Sequence, residues 1–320
     1  MTGLRILTWH VHGSYLQYLT RSPHTFLLPV RAGGEPGFGG RTPGGNWGRN
    51  VIDIPADQLC NTAFDVILFQ STRNWEVDQH ALLTPEQRRL PRIYLEHDPP
   101  RESPTDTRHV VDDPDVVVVH ATHFNALMWD NGRSPVRVID HGVADHGHRY
   151  RGDLERGLVV VNGLGRRGRR LGADLFARAR MTLPLDLVGM FSEESGGLGE
   201  VPLADLPDFS ARYRFFFHPI RYTSLGLAVL EAMMLGMPVV GLATTELATV
   251  IRDGENGFIA TDEAVLHARM RQLLDDRDLA RSIGTAARMT ALERFGIERF
   301  ASDWSKLFKE VAGVPQRVAA

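Results

Sequence analysis

Short runs of Val, Ile and Leu recur along the whole chain, separated by helical or irregular stretches. This alternation restricts the possible folds more than any other feature. In the first half the runs are Leu4–Trp9, Thr25–Val30, Val51–Ile54, Val66–Phe69, Arg92–Leu95, Val116–Val119 and Val136–Ile139. They are largely apolar rather than alternating, which suits strands of a parallel sheet covered on both faces. Asp140–Gly157 is polar and without apolar periodicity, and reads as a connection. A second series follows at Leu158–Val161, Leu185–Val188, Phe215–Phe217, Pro238–Gly241 and Phe258–Ile259. Helices are expected between these around Asp174–Arg180, Leu227–Leu235 and Thr245–Ile251. Strands alternating with helices build βαβ units, so the chain reads as two doubly wound α/β domains. From Ala264 onward the pattern is helical, over Ala264–Leu274, Asp278–Arg294 and Ile297–Val311.

With 320 residues the chain is long enough for two cores. The first apolar run reads as a buried strand and not as a secretory leader, which needs a basic start and a longer apolar stretch. No apolar run is long enough to span a bilayer. Cys60 is the only cysteine, which excludes an internal disulfide and fits a reducing compartment, so a cytoplasmic location is expected. A net charge of −3 offers no field for nucleic acid. Lysine occurs only at Lys306 and Lys309, so ion pairs elsewhere must use arginine. Residues 33–48 hold eight glycines and are expected to form a loop that orders only on contact with a ligand.

The chemistry is concentrated in Phe217–Gly241, which reads as strand, loop, apolar helix, tight turn and strand. The loop ends in Ser224 and Gly226, so backbone N–H groups at the following helix N-terminus can point at an anion. Glu231 lies further along that apolar helix, where a carboxylate needs a partner and a pair of vicinal hydroxyls would serve. Gly236 and Pro238 turn the chain into the next strand.

This segment, with Thr245–Phe258 after it, resembles the retaining GT-B glycosyltransferases, and within them family 4. Their signature runs E-G-F-G-L-x-x-L-E-A-M-x-x-G-x-P-V-V, then an acidic position before D-G-x-N-G. Gly226, Leu227, Leu230, Glu231, Ala232, Met233, Gly236, Pro238, Val239 and Val240 match in register, and so do Asp253, Gly254, Asn256, Gly257 and Phe258. By position the resemblance implies that Glu231 binds the ribose hydroxyls of a nucleotide-sugar donor. It implies that the backbone around Ser224, Leu225 and Gly226 holds the diphosphate. Thr223 replaces the glutamate that contacts the sugar in the family, and Thr249 replaces the later acidic residue, with Glu246 three positions early. The sugar pocket is therefore altered.

A second stretch, Val159–Phe176, resembles the family's strand-G-R-…-K-G-x-D-L loop, whose Arg and Lys neutralise the leaving diphosphate. Gly165 and Arg166 match G-R, and Gly172, Asp174 and Leu175 match G-x-D-L. Leu171 stands where the Lys should be, leaving Arg170 or Arg169 as the substitute. In the first half, the turn at Trp9–Tyr15 places Gly13 where backbone can approach a ligand, and the family has a donor- or acceptor-facing turn there. His10 and His12 have metal-ligand spacing but lack a third partner in the sequence. His97 ends a strand, as a family histidine does beside the reactive sugar carbon, and is the candidate catalytic group. Asp140–Val143 resembles the family's interdomain P-N-G-V. Asp113-Pro-Asp115 imitates a D-x-D metal motif, but its place directly before a strand reads as structural.

The resemblance implies a GT-B fold: two Rossmann-like doubly wound domains facing a cleft, with a C-terminal helix crossing back to the N-terminal domain. The expected divisions are 1–148 for the acceptor side, 149–295 for nucleotide-sugar binding, and 296–320 for the returning helix. The implied activity is metal-independent transfer of a sugar, with retention, from a nucleotide-diphosphate sugar co-substrate to a glycan, lipid-linked or small-molecule acceptor. No metal or other cofactor is expected. The alternative, motivated by Thr223 and Thr249, is a non-catalytic nucleotide- or partner-binding protein on the same scaffold.

Overall fold

A computed structural model describes residues 3–42 and 45–313. The chain divides into two compact units, one running to Gly142 and resuming at Ile297, the other spanning Val143–Gly296.

The first unit is built on seven parallel strands, β1 (Arg5–Thr8), β2 (Thr25–Val30), β3 (Val51–Pro55), β4 (Val66–Phe69), β5 (Arg92–Glu96), β6 (Val116–His120) and β7 (Val136–Val138). Their lateral order is β3-β2-β1-β4-β5-β6-β7. The residues of β4 are all buried, as are those of β1 beyond Arg5, which is why these strands read as unbroken apolar runs. Trp9 stacks on Phe69 with ring centroids 5.7 Å apart and anchors a core shared with Leu27, Tyr94 and Val118.

The final helix, Ile297–Val311, belongs to this unit. Phe300, Trp304, Leu307 and Phe308 recur at helical spacing and are buried. Trp304 Nε1 donates to the Tyr15 hydroxyl at 3.2 Å, and His24 Nε2 lies 3.0 Å from Ser305 Oγ. Arg299 donates to the carbonyls of Asp140 and His141 at 2.9 and 2.6 Å. Gly142 lies under the helix, where an added Cβ would stand 2.2 Å from Phe300 Cβ.

The glycine-rich stretch departs from the expected loop without fixed contacts, outside Pro43 and Gly44, which are not among the described residues. Phe38 is fully buried in the core, with the Arg31 guanidinium 4.1 Å over its ring. His10 donates through Nδ1 to the Gly40 carbonyl, and its amide reaches the Gly37 carbonyl at 3.3 Å. One apolar side chain among the glycines supplies the burial that composition conceals.

The second unit holds β8 (Leu154–Val160), β9 (Leu185–Val188), β10 (Tyr213–His218), β11 (Val239–Leu242) and β12 (Phe258–Ala260). They are parallel, in the order β12-β11-β10-β8-β9. β8 begins at Leu154, inside the stretch read as connection, because the polar Glu155 and Arg156 interrupt its apolar run. Arg156 there makes a two-pronged ion pair with Asp186 on β9, at 2.8 and 2.6 Å. Phe215, Phe217, Val240, Leu187 and Met270 form the core between sheet and helices. The helix Arg277–Phe295 crosses the helix Leu227–Leu235 at Gly284, where a Cβ would lie 2.0 Å from the Gly236 carbonyl oxygen.

Two outcomes are expected from this packing. Gly142→Ala should destabilise the protein by about 1–3 kcal/mol through overpacking against Phe300, measured as a loss in denaturant midpoint. Burial lowers the pKa of His120, His141 and His218 to about 4. Unfolded imidazoles titrate at about 6.5, so the unfolded chain binds more protons between these values. The stabilisation is therefore complete above about pH 6.5 and is lost as the pH falls toward 4. Thermal melts across that window should show a falling Tm, less so in a His218→Phe variant.

Candidate functional site

In the second unit the chain passes from β8 outward to β9, then crosses back to β10 on the other side of β8. The loops leaving β8 and β10 therefore diverge at the carboxyl edge, opening the kind of crevice in which doubly wound sheets hold ligands. Gly165, Arg166 and Arg170 lie in the loop after β8. Thr223, Ser224, Leu225 and Gly226 lie in the loop after β10, and Glu231 lies in the helix it feeds. The topology brings these residues to one edge of one sheet.

The two loops are laced together. Gly172 has φ +82, and a Cβ there would lie 2.0 Å from the Pro219 carbonyl oxygen, so both its conformation and the close approach require glycine. The amides of Arg221 and Tyr222 donate to the Arg170 carbonyl at 3.0 and 3.3 Å. Arg221 also spans the gap with its side chain, donating to Asp174 Oδ1 and Oδ2 at 2.6 and 2.9 Å and to the Arg169 carbonyl at 2.7 Å. Arg221, with Arg169 and Arg178 behind it, holds the Asp174 carboxyl far below the ordinary carboxylate range. Sequence reading matched Asp174 to a motif but did not single out Arg221. The available signal was an arginine in the middle of a loop already assigned to anion binding.

Gly226, at φ +87, heads the helix Leu227–Leu235 and has no side chain of its own with which to cap the first turn. The N–H groups of that turn thus carry the partial positive charge of the helix end. Ser224 and Leu225 are buried beneath the loop, whereas Thr223 and Glu231 are half-buried. Arg166 donates through Nε to Glu194 at 2.9 Å and through Nη2 to the same carboxylate, leaving Nη1 outside that pair. Arg170 is half-buried.

The altered acidic position has a geometric explanation. Thr249 Oγ1 donates to Glu246 Oε1 at 2.7 Å, and Arg294 Nη2 donates to the same oxygen at 3.1 Å. A carboxylate therefore does reach Thr249, from one helical turn earlier, and is buried there. Thr245 beside it has φ +52, a strained setting for a β-branched residue. The D-G-x-N-G match is structural in this chain. Asn256 is buried, accepts from the Arg252 amide at 2.7 Å and donates to Thr290 Oγ1 at 2.9 Å. Asp253 accepts from the Ile259 amide at 3.0 Å. Together they shape the turn into β12.

In the first unit the sheet changes direction between β1 and β4, and the loops after β1, β4 and β5 gather at its carboxyl edge. Gly13 is the first residue of the helix Gly13–Leu19. Gln70 donates through Nε2 to Thr8 Oγ1 and the Trp9 carbonyl at 2.8 and 2.9 Å. Its Oε1 is thereby left to accept from His97 Nε2, at 3.0 Å, which makes Nδ1 the acceptor nitrogen of His97. Burial, and then the neighbouring His12 and His141, push the His97 pKa well down, so the ring is neutral near pH 7. His12 lies 4.0 Å from it, centroid to centroid, and Tyr15 meets it edge-on at 4.9 Å. Asp113 sits at the opposite, amino edge of this sheet, paired with Arg92 at 3.0 Å and accepting from the Asp115 amide at 2.9 Å. Among the described residues no cluster of three or more His, Cys, Asp or Glu is arranged for a metal ion, and no helix is long and apolar enough to cross a membrane.

Residues 192–290 match the family model of glycosyl transferases group 1. O-antigen chain mannosyltransferase B of Escherichia coli is 36% identical over 114 residues, which are 35% of this chain and 29% of that protein. N-acetyl-alpha-D-glucosaminyl L-malate synthase of Bacillus anthracis is 32% identical over 90 residues, 28% of this chain and 24% of the relative. The matches thus span less than a third of these curated relatives. Among solved structures, HepE of Anabaena in complex with UDP-glucose superposes with a TM-score of 0.70 at 15% identity, covering 96% of this chain and 100% of that one. Sucrose-phosphate synthase of Thermosynechococcus elongatus gives 0.68 at 16% identity, covering 98% and 100%. At such identities the likeness is one of fold. The chain has the fold of the GT-B glycosyltransferases, and its residues 192–290 match the model of the glycosyl transferases group 1 family.

Proposed function

We propose that the protein is a retaining glycosyltransferase that moves a sugar from a nucleotide-diphosphate donor to a hydroxyl acceptor without a metal ion. One observation supports this most strongly. A helix N-terminus headed by Gly226, with a half-buried Glu231 further along that helix, and an arginine-bearing loop follow β10 and β8, the strands at which the second sheet changes direction. In this reading the first-turn amides around Ser224–Gly226 hold the diphosphate, assisted by Arg170 and by the Nη1 of Arg166. Glu231 accepts hydrogen bonds from the ribose hydroxyls. The bond from the anomeric carbon to the diphosphate oxygen breaks as the acceptor oxygen attacks the same face of the sugar. The leaving phosphate takes the acceptor's proton, and fixed N–H donors stabilise its developing charge. Within the first unit, His97, neutral with Nδ1 as acceptor, is the proposed catalytic group, accepting from a hydroxyl, and Gly13 is a point where backbone can approach a ligand. HepE was solved with UDP-glucose, which makes uridine donors the first to assay. A cytoplasmic site of action accords with the single exposed Cys60.

Thr223, where the family carries a glutamate, favours a second reading, a nucleotide-binding protein without turnover. Incubation with a panel of donors, read by mass spectrometry for transfer or hydrolysis, separates the two.

Glu231→Ala should weaken free-nucleotide binding at least about tenfold, since charge-assisted hydrogen bonds contribute roughly 1.5–3 kcal/mol each. Thr223→Glu should change donor preference or turnover while leaving nucleotide affinity nearly the same. Calorimetry with free nucleotides and turnover with several donors measure both, and equal affinity in wild type and Glu231→Ala would refute the ribose assignment. Activity should also survive a chelator. Loss restored by Mn²⁺ or Mg²⁺ would overturn the metal-independent scheme.

A further inference from the structure

The loop after β9 presents an aromatic ring that neither the core nor the family signature requires. Phe191 is 48% exposed and has φ +61, in the left-handed region where a bulky L-residue is an outlier. Thr245 is the other non-glycine residue with positive φ among those described, and it too lies at the carboxyl edge of this sheet. Strain of this kind persists only where surrounding structure enforces it, and here it does. The Met190 amide donates to Asn162 Oδ1 at 2.9 Å, and the Met190 carbonyl accepts from the Gly163 amide at 2.7 Å. Ser192 is buried and accepts from the Gly199 amide at 2.9 Å. Phe191 is thus fixed between two anchored neighbours, with its ring turned to solvent.

One side of that ring is covered. The Arg166 guanidinium lies 3.5 Å from the ring centroid, held there by its double hydrogen bond to Glu194. A cation over one face of an exposed, immobilised aromatic ring leaves the other face as a stacking surface for a planar π system. In a nucleotide sugar the base is the only such group. β9 lies two strands from β10, roughly 10 Å at the usual strand spacing, a gap that a nucleoside can bridge from the phosphate-facing loop.

We propose that Phe191, backed by Arg166, is the platform on which the base of the donor nucleotide stacks. The inference rests on the nucleotide-sugar reading above and extends it to the base. Stacking recognises the π face that every base has, so Phe191 contributes affinity and leaves the choice of base to groups that meet its edge.

Calorimetry of the whole protein with UDP, GDP, ADP and inorganic pyrophosphate tests this. Phe191→Asn removes the ring while keeping a residue that tolerates left-handed φ, and Phe191→Trp keeps a stacking face. Whichever nucleoside diphosphates bind wild type should bind Phe191→Asn about tenfold more weakly and Phe191→Trp at least as tightly as wild type. Pyrophosphate, which has no base, should bind all three alike. Unchanged nucleotide affinity in Phe191→Asn would overturn the platform and leave the donor reading standing. An equal loss for pyrophosphate would overturn it as a general disturbance of the loop. Absence of nucleotide binding in wild type would overturn the donor reading and the platform together.

Discussion

The candidate site depends on one close approach, the backbone of Gly172 against the carbonyl of Pro219. No side chain fits between them, so the loops after β8 and β10 touch at the point where their strands diverge. Arg221 then crosses the contact and takes both oxygens of Asp174. A bidentate guanidinium–carboxylate pair is directional as well as attractive, so it sets the angle of the 219–226 loop and not merely its distance. The first turn of the helix Leu227–Leu235 inherits its position from that clamp.

Arginine carries nearly every ion pair in the protein, because lysine is confined to the last helix. The consequence is visible around Asp174, where Arg221, Arg169 and Arg178 converge on one carboxylate, and at Glu194, where Arg166 is held over the Phe191 ring. Flat forks can pair with a carboxylate and stack at once, which an ammonium cannot do. Arg166 therefore stands between an anion and an aromatic ring, and its tie to Glu194 is one that an incoming phosphate would have to share.

The departures from the family signature differ in kind. At Thr249 the missing carboxylate returns in space, because Glu246 reaches it from one helical turn earlier under the hold of Arg294. At Thr223 the half-buried position carries a short hydroxyl. The first departure is compensated within the fold, whereas the second leaves a hydroxyl where the signature has a carboxylate.

Much of this was legible in the chain itself. The apolar runs located the strands and the apolar helix Leu227–Leu235 between two of them, and Ile297–Val311 falls where its periodicity put it, because a buried face imposes its period on the residues that form it. The residues from Ser224 and Gly226 through Glu231 to Gly236 marked the candidate anion-binding helix from local sequence alone. What the sequence could not contain was any relation between residues distant along the chain. The contacts of Arg221 with Asp174, of Glu246 with Arg294 and of Arg166 with Glu194 join segments 28 to 48 residues apart, and which segments meet was decided by the lateral order of strands. The glycine-rich stretch shows the same limit, since its composition implied a loop without fixed contacts while Phe38 found a place in the core. Local apolar pattern therefore determined the elements and marked the candidate site helix. Only the tertiary structure decided which cations and carboxylates share an edge, because burial and charge pairing act across space and leave no period in the sequence.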